Sequence, residues 1–174
     1  MGASLGADSI KKGVTAMLYG ALAVMIFMLV YYKKSGVIAV TSLLLNMLFL
    51  LAFLSLFGAT LTLPGLAGLA LTIGMAVDAN IIIFDRIREE MDNGSNGIAA
   101  IKAGFDKAHI TILDSNITTL LTGLVLYSWG TGPIKGFAVT LCVGILTTMF
   151  TALFVSRFGF SIFNVVGKKG ELSI

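Results

Sequence analysis

Charge and sulfur are scarce in this sequence. Asp, Glu, Lys and Arg make up 12% of its 174 residues, about half the usual globular share. The one cysteine, Cys142, lies inside an apolar segment. That excludes an intramolecular disulfide and argues against a thiolate metal site. The one histidine, His109, lies beside a charged stretch and reads as ordinary rather than catalytic. No phosphate-binding glycine loop, paired metal-ligand motif or nucleophile–base arrangement occurs, so neither enzyme chemistry nor a bound cofactor is expected. A secretory signal peptide is not evident either. The first apolar run follows Lys11 and Lys12, but it lacks a cleavage site and further apolar runs follow it.

What the chain has instead is apolar surface: 57% of its residues, with a mean hydropathy of +0.97. A soluble domain cannot hide that much, so the solvent is a bilayer. The net charge of +3 then reports basic loops on one side of a membrane and not nucleic-acid binding.

A bilayer core takes roughly 20 apolar residues per helix. The pattern predicts an all-α bundle of five spans, at about 13–32, 36–57, 64–84, 111–129 and 136–155. Breaks fall at Lys33-Lys34, at Gly58 to Gly65, and at Gly130 to Pro133. Five spans put the termini on opposite sides. Nine basic residues (Lys33, Lys34, Arg86, Arg88, Lys102, Lys107, Arg157, Lys168, Lys169) fall on one side and three (Lys11, Lys12, Lys135) on the other. The positive-inside rule makes the first side cytoplasmic, with the N-terminus outside and the C-terminus inside. A chain that starts outside without a signal peptide is expected to be a fragment, lacking at least one earlier span and an external domain.

Between spans three and four, residues 85–110 read as a cytoplasmic segment of two helical pieces around "DNGSNG". Arg86 and Glu90 are spaced to pair at i, i+4. Ile98, Ile101, Phe105 and Ala108 share a face, which fits an amphipathic helix on the membrane surface or one packed on its own protein. Tyr31, Tyr32, Tyr127 and Trp129 suit interfacial anchoring.

The polar residues inside the spans carry most of the information. Asp78 follows Pro64 by fourteen residues, about 21 Å along a helix, past the midplane in the cytoplasmic half. A carboxylate there costs several kcal/mol unless paired, hydrated or protonated. It is either a proton-loading group or a neutral acid bonded to a neighbouring helix. No intramembrane Arg or Lys is available to pair with it. Asn80 points about 160° away from Asp78. Gly65, Gly68, Thr72 and Ala76 form a small-residue packing stripe, with Gly74 nearer the Asp78 side. In span four, Thr111, Ser115, Thr118 and Thr122 form one stripe, and Asn116, Thr119 and Gly123 another. These could line a hydrated path or bond to other helices. Asp114 lies near the cytoplasmic end, reaching water or capping the helix. Span five repeats small residues at Gly136, Thr140, Gly144 and Thr148, a pattern for close packing. Asn46, alone in span two, reads as a structural hydrogen-bonding residue.

These motifs carry a family resemblance. "LPGLAGLALTIGMAVDANIIIFDRIREE", "ILDSNITTLLTG" and "GTGPIKGFAVTLCVGI" occur in the order and spacing of the SecD family of the bacterial protein-export machinery, and "SLGADSIKKG" resembles the stretch after that family's periplasmic domain. "FDRIREE" is shared with the sister family SecF. Asp85 stands where family members often have Glu. The resemblance implies that the chain is spans two to six of a six-span, SecD-like half, in the resistance-nodulation-division superfamily, without its periplasmic domain and first span. It also implies a place in the bacterial inner membrane, with SecF, the SecYEG channel, the translocating preprotein and membrane lipid as partners. Its role would be to use the proton motive force to complete translocation after the SecA/SecYEG step, with protons as the coupling ion. The family's proton-carrying Asp falls on Asp78, and its cationic partner lies in SecF. Asn80, Asp114, Asn116, Thr118 and Thr119 would line or brace the path. Two alternatives stand beside this: a docking module for SecF or the channel without a proton role, and another proton-driven exporter of the superfamily. Against the second, drug exporters of this type carry two adjacent acids, and Ala79 occupies the second place.

Overall fold

In lipid, a chain must close its backbone hydrogen bonds within itself, and long apolar runs do so as helices. A computed structural model describes residues 3–59 and 61–162, and no strand occurs among them. Lys168 and Lys169, counted on the basic side, lie outside the described residues. The elements are α1 (Ala3–Leu56), α2 (Leu63–Asp92), α3 (Gly97–Trp129), α4 (Pro133–Phe150), a π-helical turn (Thr151–Val155) and α5 (Ser156–Ile162). Four helical stretches are long and apolar enough to cross a membrane: Gly6–Leu56, Leu63–Asp92, Gly97–Trp129 and Pro133–Ser161.

The helix α1 is not straight. Lys33 has φ 48 and ψ −114, outside helical geometry. A Cβ placed on Gly36 would collide with the Met28 backbone and lie 3.0 Å from the Leu29 Cα. Residues eight apart in a straight helix are about 12 Å apart, so the chain reverses here, and a side chain at 36 would block the reversal. Both halves of α1 then pack on α2. Val14 and Met17 from the first half, and Leu50 and Leu54 from the second, all meet the cluster around Leu66 and Leu69.

Short turns join the remaining helices. Thr62 caps α2, its hydroxyl accepting from the Gly65 N–H at 3.2 Å, with Pro64 in the first turn. Pro133 likewise stands in the first turn of α4, which follows Gly132 and has no side-chain cap. The α2–α3 turn needs a left-handed residue, supplied by Gly94 at φ 90, and Asn96 caps α3 by accepting from the Ala99 N–H at 3.0 Å.

One end of the bundle gathers the charges. Tyr32 donates to Asp85 at 3.3 Å, the Arg88 guanidinium lies 5.7 Å from the Tyr31 ring and 5.9 Å from the Tyr32 ring, Lys107 pairs with Glu90, and Arg157 approaches Asp106 at 3.9 Å. At the other end Thr62 reaches the Pro133 carbonyl, and Lys135 lies 5.5 Å from the Tyr127 ring. The main core lies toward the charged end, around Phe84, Ile83 and Ile87 with Tyr32, Phe105, Ile112 and Phe160.

Four local expectations change. Residues 97–110 are the first turns of α3, continuous with its apolar part. Their inner face is Ala100, Gly104, Phe105 and Ala108, while Ile98 is exposed. A Cβ on Gly104 would come within 2.8 Å of the Ile87 backbone, so this face lies on α2 and not on a membrane surface. Because α3 starts at Gly97, Asp114 sits mid-helix and caps nothing. Arg86 pairs with Glu89 at 2.6 Å and not with Glu90, which is buried toward α3 and held by Lys107. Tyr32 is buried against Phe84, with ring centroids 5.1 Å apart, instead of anchoring at an interface.

Candidate functional site

The two faces of α2 differ in chemistry. On one, small residues let α4 approach. A Cβ on Gly68 would lie 3.2 Å from the Thr140 Cβ, one on Gly136 would lie 2.5 Å from the Thr62 hydroxyl, and one on Gly144 would collide with Thr72. Gly65 meets Thr140 and Gly136 in the same seam. The stripe on α2 and the Gly136/Thr140/Gly144 stripe on α4 therefore interdigitate. Thr148 continues the α4 stripe toward α1, where its hydroxyl accepts from Asn46 Nδ2 at 2.9 Å. Gly74 is not part of this seam. It is exposed, and a Cβ there would meet nothing within 4 Å.

Asn80 lies on the closed side, 1% exposed. Its Nδ2 donates to the Ala76 carbonyl at 2.9 Å, which turns Oδ1 outward to accept from the Ser156 hydroxyl at 2.6 Å. Ser42 lies 3.2 Å from both Ser156 Oγ and the Thr151 carbonyl. Neither Ser42 nor Ser156 stood out in the sequence. A single serine in an apolar run resembles background, and the one available signal was the hydroxyl series Thr147, Thr148, Thr151 and Ser156 in the last span.

Asp78 lies on the opposite face and is exposed. It borders a recess of about 190 Å³ between α2 and α3, lined also by Met75, Ile82, Ser115, Asn116 and Thr119. The side chains of α3 spend their donors locally. Asn116 donates to the Ile112 carbonyl at 2.7 Å, Ser115 to the same carbonyl at 3.2 Å, Thr118 to the Asp114 backbone carbonyl at 3.0 Å and Thr119 to the Ser115 backbone carbonyl at 2.9 Å. The hydroxyl oxygens stay free to accept, so a carboxylic acid or a water in the recess would find acceptors there. The structure thus brings Asp78 together with Asn116, Thr119 and Ser115. It leaves Asp114 and Thr118 exposed on α3 outside the recess, and turns Asn80 away from it. No basic side chain lines the recess, and no group of three or more metal-binding side chains occurs among the described residues.

Four membrane-length helical stretches packed into one bundle, with an acid left on an open face, define a polytopic helical membrane protein. Residues 1–162 match the family described as protein export membrane protein SecD/SecF, C-terminal. The chain is 59% identical over 157 residues to the protein translocase subunit SecD of Calditerrivibrio nitroreducens, covering 90% of this chain and 30% of that protein. It is 54% identical over 174 residues to the SecD of Syntrophobacter fumaroxidans, covering 100% of this chain and 33% of that protein. Its fold matches the crystal structure of SecDF, a translocon-associated membrane protein from Thermus thermophilus, with a TM-score of 0.89 and 42% identity over 92% of this chain and 22% of that one. The chain belongs to the SecD/SecF C-terminal family of protein export membrane proteins. It spans a third or less of the length of these relatives.

Proposed function

We propose that the chain is the membrane part of a SecD-type subunit of the bacterial inner membrane, which works with a SecF-type partner beside the SecYEG channel. There it uses the proton motive force to complete preprotein translocation. Asp78 is the proton-carrying group. The observation that carries this is the setting of Asp78: one acid on the open face of a central helix, bordering a polar recess with Ser115, Asn116 and Thr119. An acid that must load and release a proton needs access on one side and a neighbour that changes on the other. In the intact complex the neighbour is a cation brought by the partner subunit, seated against the α2–α3 face. The residues on this chain brace the site, Asn116 and Thr119 directly and Asn80 through its hold on α2.

In this reading α1 crosses twice, reversing at Lys33, and the bundle makes five crossings. Clustering of Lys33, Lys34, Arg86, Arg88, Lys107 and Arg157 at one end supports a cytoplasmic assignment for that end. The N-terminus then lies outside and the C-terminus inside. The test is Asp78→Asn in the full-length two-subunit complex. Gradient-dependent export is lost while the subunits still co-purify. A mutant that exports normally would sink the proton role.

The open polar face of α3, with Thr111, Ser115, Thr118 and Thr122 all exposed, supports a second reading: a docking module without a proton role. That reading predicts that Asp78→Asn weakens co-purification and leaves the gradient dependence of the assembled fraction intact.

A further inference from the structure

The last crossing is not one α-helix. At Thr151–Val155 it widens to a π turn, and the Ser156 N–H bonds to the Thr151 carbonyl five residues back. A π turn inserts one residue into the helical ladder and persists only where other contacts offset its poorer geometry. Those contacts come from outside the helix. The Ser156 hydroxyl has a single hydrogen and donates it to Asn80 Oδ1 at 2.6 Å. Ser42 Oγ stands 3.2 Å from the Thr151 carbonyl and from Ser156 Oγ. The Thr151 hydroxyl covers the Thr147 and Thr148 carbonyls at 3.0 and 3.3 Å. Every side chain in this set is buried, and none is ionisable.

The turn sets the rotation and height of α5. That helix places Phe160 against Phe84 of α2 and Phe105 of α3, with ring centroids 5.6 Å apart in both pairs. It places Arg157 toward Asp106 of α3. α4, before the turn, is locked into the α2 seam through Gly136 and Gly144. Returning the turn to α register would rotate everything beyond it by about 100° and shift it by about 1.5 Å relative to α4.

We infer that the π turn is a register-setting joint in the last crossing, held from α2 through the Asn80–Ser156 hydrogen bond, which gives α5 the rotation that seats it on α2 and α3 and that an unbroken continuation of α4 would not give it. The joint goes beyond the proton reading and stands whether or not Asp78 carries a proton. Asn80 is its positioning residue on α2 and Ser156 the one on the segment after the turn.

Cross-linking with a short bifunctional thiol reagent in the full-length protein, in a cysteine-free background, tests this. His109 and Phe158 border one hollow of about 360 Å³ beyond the joint, and cysteines at these two positions report on α5 against α3. Cysteines replacing Phe49 and Phe150, whose rings are 5.8 Å apart, report on α1 against α4 before the joint. With Ser156→Ala, the 109/158 pair should cross-link at least about five-fold more slowly, since a rotation of about 100° carries position 158 away from α3, while the 49/150 pair keeps its rate. If both pairs keep their rates, Ser156 does not set the turn. If both fall together, Ser156 only holds the fold. Either result overturns the joint.

Discussion

The two faces of α2 make different uses of polar atoms. On the closed face, Thr72 and Asn80 lie against α4, Ser42 and Ser156, fully buried and uncharged. On the open face stands Asp78, ionisable and exposed. Among the described buried side chains the one carboxylate is Glu90, and it sits at the charged end paired with Lys107. A low-dielectric core tolerates neutral hydrogen-bonded groups at little cost and charges at a large one. The closed face can therefore be polar and permanent, whereas an acid has to sit where its surroundings can change. Polarity within a membrane span is by that account no sign of function on its own.

The comparison breaks most readily at the seam. Gly144→Leu drives a side chain into Thr72 and should cost about 3 kcal/mol or more, read as a large drop in the unfolding midpoint of the full-length protein in detergent. Thr148→Val removes the hydroxyl that Asn46 Nδ2 donates to, and Asn46 Oδ1 already lacks a protein partner. Leaving that buried amide without a partner should cost about 1–3 kcal/mol in the same measurement. At the charged end Lys107→Gln breaks the pair with Glu90. The lysine is more than half exposed and Gln keeps a hydrogen-bond donor for the buried Glu90, so the loss should be smaller than at the seam and shrink further in high salt. The smallest effect belongs to the open side. Gly74→Ala meets empty space and should leave stability unchanged or raise it by up to about 1 kcal/mol through helix propensity. A large loss there would mean that Gly74 does belong to a packed seam.

Much of this division could be read from composition and periodicity. Apolar runs locate the helices, because each span must place about 20 residues in the protein core or against lipid. Four-residue spacing of small side chains marks the seam, because a helix has only one way to bring such residues to a neighbour. The 160° between Asp78 and Asn80 on a helix assigns them to different neighbours from spacing alone. What composition cannot carry is continuity and partnership. The α3 helix runs from Gly97 through polar turns into the apolar stretch, because its backbone bonds do not register where the membrane begins. Glu90 reaches Lys107, seventeen residues away, in preference to its helical neighbour Arg86, and only the packing of α3 on α2 decides that. Ser156 and Ser42 acquire their meaning from a π turn that leaves no mark on hydropathy. Asp114 and Asp78 are both exposed, and only Asp78 borders the recess.

The most direct test of the open face sets stability against coupling in one variant. In the full-length two-subunit complex, Asp78→Asn should keep the unfolding midpoint and the subunit stoichiometry of the parent. The part of export that depends on an imposed proton gradient should disappear. A destabilised or dissociated complex whose remaining assembled fraction still responds to the gradient would place Asp78 with the structural residues and contradict the division between the two faces.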